Sequence, residues 1–123
     1  MAKLETTSLR PRERRALDRM IELLVDEYGD ELHAVWLYGS RARGEAGHED
    51  SDVDLLVLTA GGRSRDSRRV DELAWQAAEE VGMSPIYLSV RVYDEEWLAG
   101  RREIRSFFIQ EVDRDKVVLH GHA

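Results

Sequence analysis

Residues 52–58, Asp-Val-Asp-Leu-Leu-Val-Leu, restrict the fold more than any other stretch of the chain. Two acids alternate with apolar residues, and an unbroken apolar run follows from Leu55 to Leu58. In a strand, residues i and i+2 project from the same face, so Asp52 and Asp54 point one way while Val53 and Leu55 point into a core. The run after them has no polar side to offer to water. Such a strand is expected to be covered on both faces.

The segments around it supply the cover. Ala16, Leu17, Met20, Ile21, Leu24, Val25 and Tyr28 form one apolar stripe at helical spacing, with Pro11 suited to the first turn and Gly29 to the stop. This predicts a helix over 11–28. Leu32–Tyr38 reads as a strand that ends at Gly39-Ser40, and 41–51 has room for one helical turn. Residues 60–65, Ala-Gly-Gly-Arg-Ser-Arg, read as the most flexible loop. Val70, Leu73, Ala74, Ala77, Ala78 and Val81 then mark a helix of about five turns ended by Gly82. A strand is expected over 85–93, with Ile86, Leu88, Val90 and Val92 on one face. Asp94 is placed as the N-cap of a short helix carrying Trp97 and Leu98. Ile104, Phe107, Phe108 and Val112 mark a further helix after Gly100, and Lys116–His120 a last strand. The resulting class is α/β (α+β): one small mixed sheet with helices packed against it, a single domain over 1–123 with 1–8 frayed.

Composition closes off other classes. The chain has 123 residues, 42% hydrophobic and 35% charged, and no cysteine, which excludes disorder, disulfides and thiol chemistry. No stretch approaches the roughly 20 apolar residues of a membrane helix, and Met1–Arg10 lacks a signal-peptide core, so a cytoplasmic protein is expected. The net charge of −7 argues against general binding of duplex DNA. It leaves phosphate ligands open, since a divalent cation brings a triphosphate to clustered carboxylates.

Asp52 and Asp54 are such a cluster. Side by side they repel unless a cation lies between them, and Mg²⁺ favours a few carboxylates, waters and substrate phosphates. A solvated strand end is the competing reading of the pair alone. Gly39-Ser40 lies twelve residues before Asp52, at the end of the other strand. There Gly lets the backbone approach a ligand, and the Ser hydroxyl and following amides can receive a phosphate oxygen. Together they describe one site for a metal-bound nucleoside triphosphate.

Gly39-Ser40-Arg41-Ala42-Arg43-Gly44-Glu45-Ala46 followed by Ser51-Asp52-Val53-Asp54-Leu55-Leu56-Val57 resembles the signature of the DNA polymerase beta-like nucleotidyltransferase superfamily, and more closely its minimal nucleotidyltransferases. The resemblance implies a polymerase beta-like palm fold and transfer of NMP, AMP foremost, from ATP or another NTP to an acceptor hydroxyl. It implies that Gly39 and Ser40 hold the β- and γ-phosphates, that Asp52 and Asp54 are catalytic and bind Mg²⁺, and that Arg43 assists the phosphates. For Arg43 a surface salt bridge is an equal alternative, and Arg41 ranks below it. A chain this short leaves the acceptor surface to a partner or a second copy. The resemblance implies a HEPN-domain protein, as in toxin–antitoxin modules, and exposed apolar residues around Trp97 and Phe107 would point to a homodimer.

The sequence departs from that family at one place. Full members carry a third carboxylate on the strand that corresponds to 85–93, where Ser89 stands nearest the position. Asp94, Glu95 and Glu96 read as a helix cap and first turn. The alternative is therefore a nucleotide-binding or partner-neutralising module without turnover. Of the remaining residues, His33, His48, His120 and His122 lack metal-ligand spacing, the last two in a mobile tail. Arg63, Arg65, Arg68 and Arg69 form a basic cluster that either guides an acidic acceptor or is a solvated helix start. Trp36, Trp75 and Trp97 are expected in the core or an interface.

Overall fold

The structure, a computed structural model, describes residues 7–45 and 52–123. Helix α1 (Pro11–Tyr28) starts where the Arg10 amide donates to Glu13 Oε1 at 2.7 Å, and it buries Ala16, Leu17, Met20 and Leu24. It stops at Gly29, whose φ of +53° opens a 3-10 turn over Gly29–Glu31. Strand β1 (Leu32–Tyr38) runs straight into the single-turn helix α2 (Gly39–Ala42). Strand β2 (Val53–Thr59), helix α3 (Gly62–Glu80), a 3-10 turn over Pro85–Tyr87, strand β3 (Leu88–Tyr93), helices α4 (Glu95–Glu103) and α5 (Phe107–Asp115), and strand β4 (Val117–Gly121) follow.

The sheet order is β3-β2-β1-β4. β1 lies antiparallel to β2 and to β4, while β2 and β3 are parallel and joined through α3. The two faces of β2 are both buried, as its apolar run requires. Val53, Leu55 and Val57 pack with Leu17, Met20 and Leu24 of α1 and Val70, Leu73 and Ala77 of α3. Leu56 and Leu58 pack with Trp36, with Leu98 of α4 and with Ile109 and Val112 of α5. Asp54 shares the parity of this second group, so it opens toward α5.

Several expectations are corrected. The loop expected over 60–65 is mostly helix: Thr59 Oγ1 accepts from the Gly62 amide at 2.9 Å and donates to Asp66 Oδ2 at 2.6 Å, which fixes the first turn of α3. β3 starts at Leu88 instead of residue 85, because Pro85 opens the 3-10 turn; Ile86 is consequently 74% exposed rather than on the core face. α4 continues through Gly100, and α5 begins only after Ser106, whose Oγ accepts from the Ile109 amide at 3.3 Å. Ile104 and Phe107 thus fall at the corner between the helices, 67% and 87% exposed.

The C-terminal tail is tied down, contrary to expectation. His120 pairs with Val35 in β4, the Trp36 indole donates to the His122 carbonyl at 2.7 Å, and the His122 ring meets Glu95 at 2.6 Å. Ser8 is likewise held, its amide donating to the Arg41 carbonyl at 3.0 Å; the rest of the expected frayed end, 1–6, lies outside the described residues. Trp36 is fully buried, Trp97 stacks on Tyr93 at 3.6 Å, and Trp75 is 55% exposed and so is no core residue. Among the described residues no helix is long and apolar enough to cross a membrane.

Candidate active site

The end of β1, the turn of α2 and the start of β2 meet at one point. Register places Tyr38 of β1 and Ser89 of β3 on either side of Asp54, so Ser89 does stand beside the carboxylate pair, as the sequence suggested. Asp52 is exposed just ahead of β2 and acts electrostatically on Asp54. Burial, then the Asp52 charge, raises the Asp54 carboxyl above its ordinary value, and the Arg91 and Arg43 guanidiniums partly offset this.

Gly39 ties the two motifs together. Its φ is +78°, and a Cβ there would lie 2.5 Å from Asp54 Oδ2. Only a residue without a side chain lets the carboxylate rest against the start of α2. Gly39→Ala is therefore expected to destabilise the fold by about 1–3 kcal/mol and to displace the carboxylate. A melting curve reads the first effect, and loss of Mg²⁺-dependent ATP binding reads the second. Unchanged values of both would contradict this contact.

Ser40 follows, half-exposed, on a cleft of about 350 Å³ whose wall is Tyr38, Gly39, Ser40, Arg43 and Asp54 on one side and Phe108 and Glu111 of α5 on the other. Arg43 lines this cleft while pairing with Glu45 at 2.8 Å and Asp115 at 3.3 Å, so the salt-bridge alternative is realised. Arg41 points away: it is buried and ion-paired with Glu13. Asp94 is the N-cap of α4, accepting from the Trp97 amide at 2.8 Å, as expected. His48, together with Ala46, Glu49, Asp50 and Ser51, lies outside the described residues.

One cleft residue and one residue beside the cleft wall escaped the sequence reading. Glu111 was indistinguishable from other exposed acids, although its spacing from Phe108 and Val112 places all three on one helix face. Arg91 looked like the outward position of a strand. Its guanidinium in fact lies 5.2 Å from the centroid of the Phe108 ring. A larger open groove of about 800 Å³ runs along α3 beside Trp75 and shares no residue with this cleft.

Among the described residues no three potential metal ligands converge. Mg²⁺ does not require three, since one or two carboxylates plus waters and substrate phosphates suffice, and Asp52 with Asp54 fits that donor set.

The nucleotidyltransferase domain profile matches residues 17–112. A candidate protein adenylyltransferase of Methanocaldococcus jannaschii is 42% identical over 55 residues, 45% of this chain and 35% of that protein. The chain thus spans about a third of the length of that curated relative. Among solved structures, a toxin–antitoxin with AMP-PNP is 26% identical with a TM-score of 0.55, over 85% of this chain and 73% of that one. A mutant of the toxin–antitoxin MntA-HpeT is 25% identical with a TM-score of 0.53, over 86% and 72%.

Proposed function

Because the chain belongs to the nucleotidyltransferase domain family, we propose that it transfers a nucleoside monophosphate, AMP foremost, from an NTP to an acceptor hydroxyl in the presence of Mg²⁺. The observation that carries this reading is the contact between Gly39 and Asp54, which makes the Gly-Ser turn and the acidic pair one site. The structure's resemblance to a toxin–antitoxin with AMP-PNP supports an adenine nucleotide.

In this reading Gly39, Ser40 and the amides of α2 receive the β- and γ-phosphates, and Asp52 and Asp54 hold Mg²⁺. Bound there, the ion would neutralise charge on the triphosphate as the new ester forms. The acceptor oxygen attacks the α-phosphorus, the bond to the β-phosphate oxygen breaks, and pyrophosphate leaves. Glu111 lines the same cleft as Asp54, and in this reading its carboxylate takes the acceptor's proton. Arg43 joins the phosphates once it releases Glu45. A partner protein, of the HEPN-domain class or a second copy of the chain, supplies the acceptor surface, and the toxin–antitoxin relatives support a protein acceptor.

Ser89 beside Asp54 favours a second reading, a nucleotide-binding module that does not turn over. One assay separates the two. With ATP labelled in the α-phosphate, Mg²⁺ and the protein's own genomic neighbour as acceptor, the enzyme reading expects label on that neighbour and release of pyrophosphate. Mg²⁺-dependent ATP binding with no label transferred would sink it and leave the module.

A further inference from the structure

Eight of the sixteen arginines are seen paired with a carboxylate among the described residues, and the basic cluster at the start of α3 holds three of them. Arg65 pairs with Asp66 and Glu31, Arg68 with Glu72, and Arg69 with Glu27 and Glu72. Arg63 is left out of these pairs. It lines a groove of about 600 Å³ with Arg101 of α4, and among the described residues neither guanidinium is ion-paired with a carboxylate. Arg101 instead lies over Trp97, 5.7 Å from the ring centroid.

The hydroxyl residues Ser64 and Ser67 line the same groove, as do Tyr93 and Asp94. Asp94 is the one acid there. One of its oxygens is engaged by the Trp97 amide, and the other lies against Gly62, where a Cβ would meet it at 2.8 Å. The groove thus combines two guanidiniums without a carboxylate partner among the described residues and two hydroxyls against one carboxylate, one of whose oxygens is taken by the Trp97 amide. Arg presents a planar fork of donors that matches phosphate oxygens, and neighbouring hydroxyls add further donors.

We propose that this groove binds a phosphate group, held between Arg63 and Arg101 with Ser64 and Ser67. It is separate from the candidate active site. Ser89 marks that site on β3 and Tyr93 marks the groove, so the two are about 13 Å apart along the strand. The proposal does not depend on nucleotidyl transfer. The phosphate belongs either to a small free anion or to the backbone of a single-stranded nucleic acid.

Amide-resolved NMR on the full chain without Mg²⁺ tests this, with inorganic phosphate and a short single-stranded oligonucleotide as probes at constant ionic strength. The expected result is a saturable shift of the Ser64, Ser67 and Arg101 amides and the Trp97 indole. The Arg63→Gln/Arg101→Gln variant should bind about tenfold more weakly or worse, and Arg63→Lys/Arg101→Lys should recover part of the loss. The amides of Ser40 and Arg43 report the other site separately and should respond alike in all three proteins. Much tighter oligonucleotide binding, lost in the Gln variant, identifies the backbone as the source. A response to inorganic phosphate that the oligonucleotide does not exceed identifies the small anion. No shift at these residues with either probe overturns the proposal. So does a shift that survives in the Gln variant while its melting temperature is unchanged.

Discussion

Replacing Asp52 and Asp54 together by Ala is expected to lower label transfer by about three orders of magnitude or more, while leaving the protein folded and at least as stable. The two halves of that result have one origin. Asp54 is packed between Tyr38 and Ser89, and both burial and the Asp52 charge work against its ionised form. Without a cation the pair is a source of repulsion, so its removal relieves the fold. With Mg²⁺ and a triphosphate present, the same repulsion becomes the reason the cation binds. Stability and function therefore change in opposite directions in this variant. Melting curves with and without Mg²⁺ and ATP check it: the parent should gain stability from the ligands, and the variant should not. A variant that melts much lower in their absence would mean that the acids are structural, contrary to the site proposed for them.

That opposition also explains what could be read from the sequence. Residues 52–58 demanded a strand with two covered faces, and β2 is such a strand, with α1 and α3 on one side and α4 and α5 on the other. The pairing of Gly39 with Asp54 was legible as two motifs, because each contains a local signal at a strand end. Their contact was not, since it depends on the antiparallel register that sets Tyr38 opposite Asp54. Glu111 was hidden for a similar reason: nothing local distinguishes an acid facing a cleft from one facing solvent. Two of the errors share a different cause, the tying down of one segment by residues from outside it. Gly- and Ser-rich 60–65 looked like a loop until Thr59 and Asp66 closed its first turn. The tail at His122 looked free until Trp36 and Glu95 reached it.

Arg41 carries the largest expected effect on stability. It follows Ser40 in the Gly-Ser turn, where the sequence ranks it below Arg43 as a phosphate ligand. In the structure it is buried, ion-paired with Glu13 and donating to the Ser8 carbonyl at 3.3 Å. Glu13 in turn accepts from the Arg10 amide at 2.7 Å, so one carboxylate both caps α1 and neutralises Arg41. Arg41→Ala leaves that carboxylate buried without its cation, a change that costs about 3–5 kcal/mol. For a domain of this size the melting temperature should fall by roughly 10–20 °C. Adding Glu13→Gln to Arg41→Ala should restore part of the loss, because the amide oxygen can still cap Arg10 and no charge is left stranded. Function should suffer beyond what unfolding explains. The Arg41 side chain ties α2 to Glu13 of α1 and to the Ser8 carbonyl, and a turn left with only the bonds from Ser8 to the residue-41 carbonyl holds Ser40 less firmly at the cleft. Measured well below the lowered melting temperature, Mg²⁺-dependent ATP binding should therefore be weaker in Arg41→Ala than in the parent. Equal affinity in a folded variant would show that the turn needs no anchor from the Arg41 side chain.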